Sequence, residues 1–344
     1  MATLLETPKT DHTIAARDGT TMKAIVQEGS GSADVLHLRE VEKPVNEDGR
    51  VLVRVRAASV NALDWHTVHG GLLLTVIQKL MRSKEDPIRG ADLSGVVESV
   101  GKDVTEFRPG DEVFGFGRGT FAEWSSAPRL GLVRKPKELS FTQAAAVGVA
   151  AITALQGVRD HGEIKLGQRV LIHGAGGGVG TYAVQIGKAL GAHVTAVTGP
   201  KNVDIVAALG ADVLIDYSKE DVTKRGDRYD AILDVAATRS VGSMRRLLKP
   251  NGIFVQCGAA KTGGWLGIFG RIMAIVVRSR LLKQRVLMYI AKTKQSDLRY
   301  LSELMVAGKV RPVIDRTYPL AETVEAVRYL GTGQARAKVV INVD

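Results

Sequence analysis

The sequence has very little cysteine, because Cys257 is the only one among its 344 residues. A single thiol excludes a disulfide within the chain, and it excludes a zinc site built from several cysteines. Such sparing use of cysteine is typical of a reducing compartment, and we expect a cytoplasmic protein.

Long apolar runs are absent as well. No stretch reaches the ~18 apolar residues that a membrane-spanning helix needs. Residues 1–21 lack the apolar core of a secretory signal, and their acidic residues Glu6, Asp11 and Asp18 argue against a transit peptide. The sequence therefore predicts a disordered extension over residues 1–21, with the folded chain starting near Met22.

Basic residues outnumber acidic ones, 47 to 36, but only residues 271–285 concentrate them. The net charge is +11. Because most basic residues are spread along the chain, a solvated basic surface is favoured over nucleic-acid binding, and nucleic acid is not an expected partner. An apolar stretch, residues 265–277, precedes that basic cluster. Residues 265–285 fit a core or interdomain helix with a basic outer face. They also fit an amphipathic segment that contacts an anionic membrane or covers a hydrophobic substrate site.

The residue pattern changes once along the chain. Residues 22–126 show short strand patterns, among them 121–124, separated by turns such as 108–111, which is typical of a β-rich, partly open barrel. From about residue 150, strands and helices alternate, which predicts a doubly wound parallel sheet. The predicted strands of this sheet are 170–173, 193–198, 213–216, 231–234 and 253–257. The predicted helices are 179–190, 202–209, 219–225 and 239–248, with Pro250-Asn251-Gly252 ending the last. A tail with predicted strands at 310–316 and 338–343 is expected to complete the first domain.

A glycine cluster lies between a predicted strand, 169–172, and a predicted helix that follows it. Gly174, Gly177 and Gly180 have the spacing G-x-x-G-x-x-G and not a strict G-x-G-x-x-G. Glycines alone also fit a flexible loop, but a strand, a glycine turn and a helix in this order hold a dinucleotide pyrophosphate. The free N–H groups of the first helical turn would stabilise the negative charge.

The second strand of the predicted sheet, 193–198, indicates the type of cofactor. An NAD site usually places a carboxylate about 20 residues after the glycine turn, where it binds the ribose 2′-hydroxyl. Here that position reads Thr198-Gly199-Pro200-Lys201-Asn202, and the first acid is Asp204 on the next predicted helix. A missing carboxylate and a nearby lysine favour NADPH, although Lys201 also fits an ordinary surface lysine.

At this point the chain resembles the zinc-independent medium-chain dehydrogenases and reductases of the quinone oxidoreductase group. The resemblance runs from Met22 onward and its last stretches are similar to the mitochondrial reticulon-interacting reductases. The stretches that carry it are 58–64 (ASVNALD), 90–97 (GADLSGVV), 108–113 (RPGDEV), 144–147 (AAAV), 152–155 (ITAL), 209–212 (LGAD), 307–314 (AGKVRPVI) and 335–340 (ARAKVV).

The resemblance implies an α/β protein with two domains and an active site in the cleft between them. A GroES-like β-rich catalytic domain would comprise residues 22–149 and 292–344, and a Rossmann NADP-binding domain with a doubly wound parallel sheet would comprise 150–291. Zinc-containing relatives carry a histidine–glutamate pair where this chain has Ala91 and Asp92. We therefore expect no metal.

The resemblance also implies roles for individual residues. Asn61 and Thr153 would lie near the nicotinamide and its ribose, and Cys257 and Gly258 would border the ring. The glycine turn would contact the pyrophosphate, and a further group would surround the 2′-phosphate. The residues of the turn are Gly174, Gly176, Gly177, Gly178, Val179 and Gly180. The residues expected around the 2′-phosphate are Thr198, Lys201, Asn202 and Tyr217. Two further cofactor-binding candidates, Arg336 and Lys338, match a stretch that usually reads Ala-Arg-Gly-Lys in the family.

Several of these residues also fit ordinary structural roles. Asn61 and Asp64 fit turn residues that bond their own backbone, and Thr153 fits a helical residue bonded one turn back. Tyr217 fits a cap on the sheet edge. We take Asn61, Asp64, His66 and Thr153 as candidate catalytic residues; His66 is a conceivable proton donor, but it also fits an exposed loop histidine.

The favoured hypothesis is a metal-free reductase that transfers hydride from NADPH to a quinone or an α,β-unsaturated carbonyl. An NADP-dependent alcohol or aldehyde dehydrogenase of the same family is an alternative. A second alternative is a cofactor-binding protein that acts through RNA or an anionic membrane. The family resemblance further implies a homodimer.

Overall fold

The computed structural model describes residues 20–29, 31–69, 87–257 and 283–343. Its first large sheet is mostly antiparallel and takes strands from two distant parts of the sequence. These strands are β3 (Arg50–Val60), β4 (Asp92–Val100), β5 (Glu112–Phe116), β6 (Trp124–Pro128), β7 (Leu132–Arg134), β14 (Ile314–Pro319) and β15 (Lys338–Asn342), in the order β14-β15-β3-β4-β5-β7 with β6 also on β3. β15 therefore lies between β14, which precedes it in the chain, and β3, which is far from it in sequence.

A two-stranded antiparallel sheet precedes it, formed by β1 (Thr21–Gln27) and β2 (Leu36–Glu42). The predicted extension over residues 1–21 lies outside the described residues, except that Thr20 and Thr21 are described and Thr21 opens β1. The predicted strand 121–124 is wrong, because β6 begins only at Trp124 and Ala122 makes a single bridge to Ala24.

The second large sheet is entirely parallel. Its strands, all in chain order, are β8 (Arg169–His173), β9 (His193–Thr198), β10 (Val213–Asp216), β11 (Tyr229–Asp234), β12 (Leu248–Gln256) and β13 (Arg285–Met288). The spatial order is β10-β9-β8-β11-β12-β13, which is the doubly wound Rossmann order. All six strands point the same way, so their carboxyl ends form one edge, which is where sheets of this topology generally bind ligands.

The helices lie in the connections between strands of both large sheets. They are α1 (Ala62–His69), α2 (Phe141–Ala145), α3 (Gly148–Leu155), α4 (Gly178–Ala189), α5 (Val203–Ala208), α6 (Val241–Arg245), α7 (Gln295–Val306) and α8 (Thr323–Gly331). A capping box of Ser140 and Gln143 starts α2. The predicted boundary between residues 149 and 150 falls inside α3, which packs against α4 and α7.

One core joins the two sheets around α3 and α4. Phe114 of β5 shares a hydrophobic cluster with Ile152 and Leu155 of α3 and with Leu298 of α7. The Tyr182 hydroxyl of α4 donates to the Ala146 carbonyl at 3.1 Å, so this core also carries a polar link between the domains. A second core lies inside the first sheet, around Val53 and Leu93.

Three predicted elements of the second half need correction. The predicted helix 219–225 is a short 3-10 turn, Val222–Lys224, and the predicted helix 239–248 ends at Arg245. Pro250-Asn251-Gly252 does not end a helix but lies inside β12, where the register jumps from Leu248–Tyr229 to Ile253–Ala231. These residues fill the resulting bulge, where missing ladder bonds make proline and glycine tolerable. The predicted strand 310–316 begins only at Ile314.

Candidate active site

A cavity of about 1310 Å³ lies between the two sheets. One wall comes from α1, from Ala91 just before β4, and from Phe116 of β5. The other wall comes from the carboxyl ends of β8, β9, β11 and β12 and from α3. Eight of the sequence-predicted residues line it: Asn61, His66, Thr153, Gly174, Gly178, Val179, Tyr217 and Cys257.

The glycine turn forms the floor of the cavity between β8 and α4. Gly174 has φ +92°, a conformation that favours glycine, and Gly177 lies at the N-cap of α4. A Cβ on Gly180 would lie 2.1 Å from the Gly174 carbonyl, so close packing of the turn on the helix requires glycine there. The first N–H groups of α4 have no partner within the helix and open toward the turn, which makes an anion-binding site.

The end of β9 lies directly beside this turn. A Cβ on Gly176 would come within 2.6 Å of Thr198 Oγ1 and of the Asn202 side chain, so three predicted residues meet here. The Asn202 Oδ1 atom is buried and has no hydrogen-bond partner among the described residues. Tyr217 is 57% exposed, and its ring covers Gly199, where a Cβ would lie 2.8 Å from the Tyr217 hydroxyl.

Residues 334–338, which we call the closing segment, bring the first domain onto the glycine turn. The Ala337 N–H donates to the Gly176 carbonyl at 3.0 Å. The Arg336 guanidinium binds both carboxylate oxygens of Asp204, at 2.9 and 3.0 Å. Lys201 Nζ lies 3.4 Å from the Gln334 side-chain oxygen. Ala337 replaces the family's usual glycine and keeps its left-handed backbone, with φ +74°.

A buried polar network lies under the cavity on the side of the first domain. Lys338 Nζ donates to Asn61 Oδ1 at 2.7 Å and lies 3.6 Å from Asp92. Asn61 Nδ2 and Ser59 Oγ each donate to Asp92 Oδ2 at 2.9 Å, and the Val149 N–H donates to Asp92 Oδ1 at 2.8 Å. Both ends of the Asn61 amide are thus used inside the protein, which fixes its orientation at the cavity wall.

Asp64 lies in the first turn of α1 and does not line the cavity. Its carboxylate accepts the Asn61 N–H at 2.7 Å, which is the backbone-bonding role that the sequence left open. Burial, reinforced by the charge of Asp92, raises the pKa of Asp64 to about 7. Burial also lowers the pKa of Lys338, against the attraction of the two aspartates.

The remaining candidate residues, Thr153, His66 and Cys257, lie at the end of the cavity where the nicotinamide is expected. Thr153 Oγ1 donates to the Val149 carbonyl at 2.7 Å, one helical turn back, while Thr153 still borders the cavity. His66 lies on α1 at the cavity wall, with its ring 5.0 Å from the Trp65 ring. Burial raises the pKa of the Cys257 thiol to about 12. Gly258 and most of the 265–285 segment lie outside the described residues.

Sequence reasoning missed a second buried pair at the same edge. His173 is the last residue of β8, and its Nδ1 atom lies 2.7 Å from Oδ1 of Asp234 at the end of β11. The Ala237 N–H donates to the same oxygen at 2.8 Å, and Ala237 has φ +52°. The sequence did contain a signal for this pair: a polar residue ends each of two predicted parallel strands, and the carboxyl ends of such strands meet at one edge of the sheet.

The donor chemistry is that of an anion site. In the part of the chain that the structure describes, no three histidine, cysteine or acidic side chains come together as a metal-binding group. A phosphorylated dinucleotide fits the glycine turn, the N–H groups at the start of α4 and the cations Lys201 and Arg336. The Asn202 oxygen, which has no hydrogen-bond partner among the described residues, fits a polar ligand beside them.

Comparison with known proteins shows which family the chain belongs to. Residues 47–137 match the alcohol dehydrogenase GroES-like domain, and residues 209–341 match the zinc-binding dehydrogenase domain. The chloroplastic quinone-oxidoreductase QR1 of Triphysaria versicolor is 31% identical over 340 residues, covering 94% of this chain and 99% of that protein. The chain belongs to the quinone oxidoreductase group of the medium-chain dehydrogenases and reductases.

Two further relatives agree. The human mitochondrial NAD(P)H oxidoreductase RTN4IP1 is 34% identical over 362 residues, covering 94% of this chain and 90% of that protein. The structure of the quinone oxidoreductase from Coxiella burnetii superposes with a TM-score of 0.83 at 31% identity, covering 94% of this chain and all of that one. The predicted family and fold class are therefore confirmed, and this protein is an oxidoreductase that uses a nicotinamide cofactor.

Proposed function

We propose that this oxidoreductase uses NADPH and transfers hydride, without a metal, to a quinone or an α,β-unsaturated carbonyl. The observation that carries the NADPH assignment is the turn after β9. Residues 198–202 contain no carboxylate to bind a ribose 2′-hydroxyl. Lys201 belongs to this turn, and Arg336 of the other domain pairs with Asp204 just after it, so two cations lie where an extra phosphate would bind.

The cofactor, when bound, supplies the hydride, and the residues of the chain position and shield it. The N–H groups at Gly178 and Val179 would hold the pyrophosphate, while Asn61 and Thr153 would border the nicotinamide ribose. His66 at the wall is the candidate donor of the proton that completes reduction of an enone. These roles rest on position in the cavity and on the family pattern.

The metal-free assignment rests on the residues where zinc-containing relatives bind their ion. Ala91 has no ligand atom, and the Asp92 carboxylate accepts hydrogen bonds from Ser59, Asn61 and Val149. A carboxylate so engaged, with Lys338 beside it, is a poor zinc ligand, because binding a cation would require breaking this buried network.

The test is a panel of quinones, enones and alcohols assayed with NADPH and NADH, with and without a chelator. We expect quinone or enone reduction with a kcat/KM at least about tenfold higher for NADPH, since one lost charge-assisted phosphate contact costs that much. Chelation should leave the rate unchanged. Turnover restricted to alcohols, a preference for NADH, or loss of activity on chelation would contradict the proposal.

The partner and location assignments stay predictions. The substrate is a small molecule, but the homodimer, the cytoplasmic location and a membrane contact through residues 265–285 are untested. Relatives carry chloroplastic and mitochondrial names. No helix in the described ranges is long and apolar enough to cross a membrane. Sedimentation velocity and vesicle pelleting would decide the dimer and the membrane contact.

A further inference from the structure

The ion pair between Arg336 and Asp204 crosses the domain boundary beside the proposed 2′-phosphate site. Asp204 lies in the first turn of α5, directly after the turn that ends β9. One guanidinium nitrogen, Arg336 Nη2, serves both carboxylate oxygens. The Arg336 Nε atom is buried and makes no hydrogen bond within the described part of the chain.

Arg336 is held in place by its backbone and not by Asp204 alone. Its N–H donates to Asp315 Oδ2 at 2.8 Å, and Tyr329 donates to the same oxygen at 2.7 Å. The next residue, Ala337, bonds to Gly176, and Gly176 abuts Asn202. The backbone at Arg336 is therefore anchored beside the glycine turn independently of Asp204, and the guanidinium remains within reach of that turn.

Asp204 carries a negative charge where a phosphate dianion would add two more. A phosphate has three acceptor oxygens and matches the planar fork of an arginine, so it competes for the same guanidinium. The Asp204 side chain is 72% exposed and that of Arg336 36% exposed, so their ion pair is weak and exchangeable.

We propose that Asp204 is a specificity-determining residue: it competes with the 2′-phosphate for Arg336 and thereby limits the preference for NADPH over NADH. On binding, Arg336 exchanges the carboxylate for the phosphate. This inference rests on the proposed NADPH site, and it concerns how strongly that site discriminates.

The test measures binding by calorimetry, with adenosine 2′,5′-bisphosphate and 5′-AMP as probes that differ in the 2′-phosphate. Asp204→Asn should tighten the bisphosphate about two- to fivefold, the value of an exposed ion pair, and leave 5′-AMP unchanged. Arg336→Gln should weaken the bisphosphate about tenfold or more. In the double variant, Asp204→Asn should have no further effect, because no guanidinium remains to be released.

The matched control is Glu163→Gln, which removes one charge from another exposed pair, with Arg285 at 2.7 Å, in the same domain. It should change neither affinity. The inference is overturned if Asp204→Asn weakens the bisphosphate or has no larger effect than Glu163→Gln. Equal binding of the two probes by the unmodified protein would instead refute the NADPH assignment. In that case a preference appearing only in Asp204→Asn would still support competition, and no such preference would refute it.

Discussion

Replacing Asp64 by asparagine should stabilise the protein at neutral and higher pH. Asparagine keeps an oxygen for the Asn61 N–H and cannot ionise. The folded-state pKa of Asp64 is about 7 against a usual 3.8, so folding favours the protonated form. The contribution of Asp64 to stability should therefore fall as pH rises from about 4 to 7, by about 4 kcal/mol in all at ~1.36 kcal/mol per pH unit. The advantage of Asp64→Asn should therefore be near zero below pH 4 and full above pH 7.

The assay is thermal unfolding of both proteins at several pH values between 4.5 and 8. For a chain of this length, about 4 kcal/mol corresponds to a difference in Tm of about 5 °C at pH 8. Asp216→Asn is the control, since the Ser218 N–H lowers the pKa of Asp216 and the variant should lose stability, not gain it. A difference for Asp64→Asn that is the same at every pH would refute the reasoning.

Three further predictions concern the site. Gly176→Ala should destabilise the fold by about 1–3 kcal/mol in urea unfolding and abolish nucleotide binding, because its Cβ meets Asn202 at 2.6 Å; Gly177→Ala, with 3.7 Å of clearance, should fold normally. Lys338→Met should cost about 3–5 kcal/mol by leaving Asp92 uncompensated, and adding Asp92→Asn should recover part of the loss in the same measurement. Cys257, with a pKa of about 12, should react with a thiol reagent at pH 8 on the order of a thousandfold slower than a free thiol, until urea unfolds the chain.

Five of the six strands of the parallel sheet were predictable because each contains a short apolar run between helical or turn patterns; β13 was not predicted. Predicted strands 193–198 and 213–216 match β9 and β10 at both ends. The errors fall where tertiary contacts override local pattern. Pro250 and Gly252 are turn residues by composition, yet a bulge paired to β11 holds them in a strand.

The site was predictable only as a set of residues. Motifs placed Gly176, Thr198 and Asn202 in one region, and the structure brings them into contact. The network of Asn61 with Lys338 was not predictable, because its partners lie 277 residues apart and no local period links them. The same holds for Asp204, which the sequence showed only as an acid placed too late to bind a ribose.

The insertion of β15 between β14 and β3 has a consequence for synthesis on the ribosome. Val60 pairs with Val339, so the edge of β3 stays open until that late strand has been made. At about 5–20 residues per second, this interval lasts on the order of 15–60 s. The Rossmann sheet lies wholly within the interval and can form first, while the waiting edge of β3 presents unpaired N–H and C=O groups. The closing segment, residues 334–338, runs directly into β15, so the nucleotide pocket and the first sheet are completed together during biogenesis.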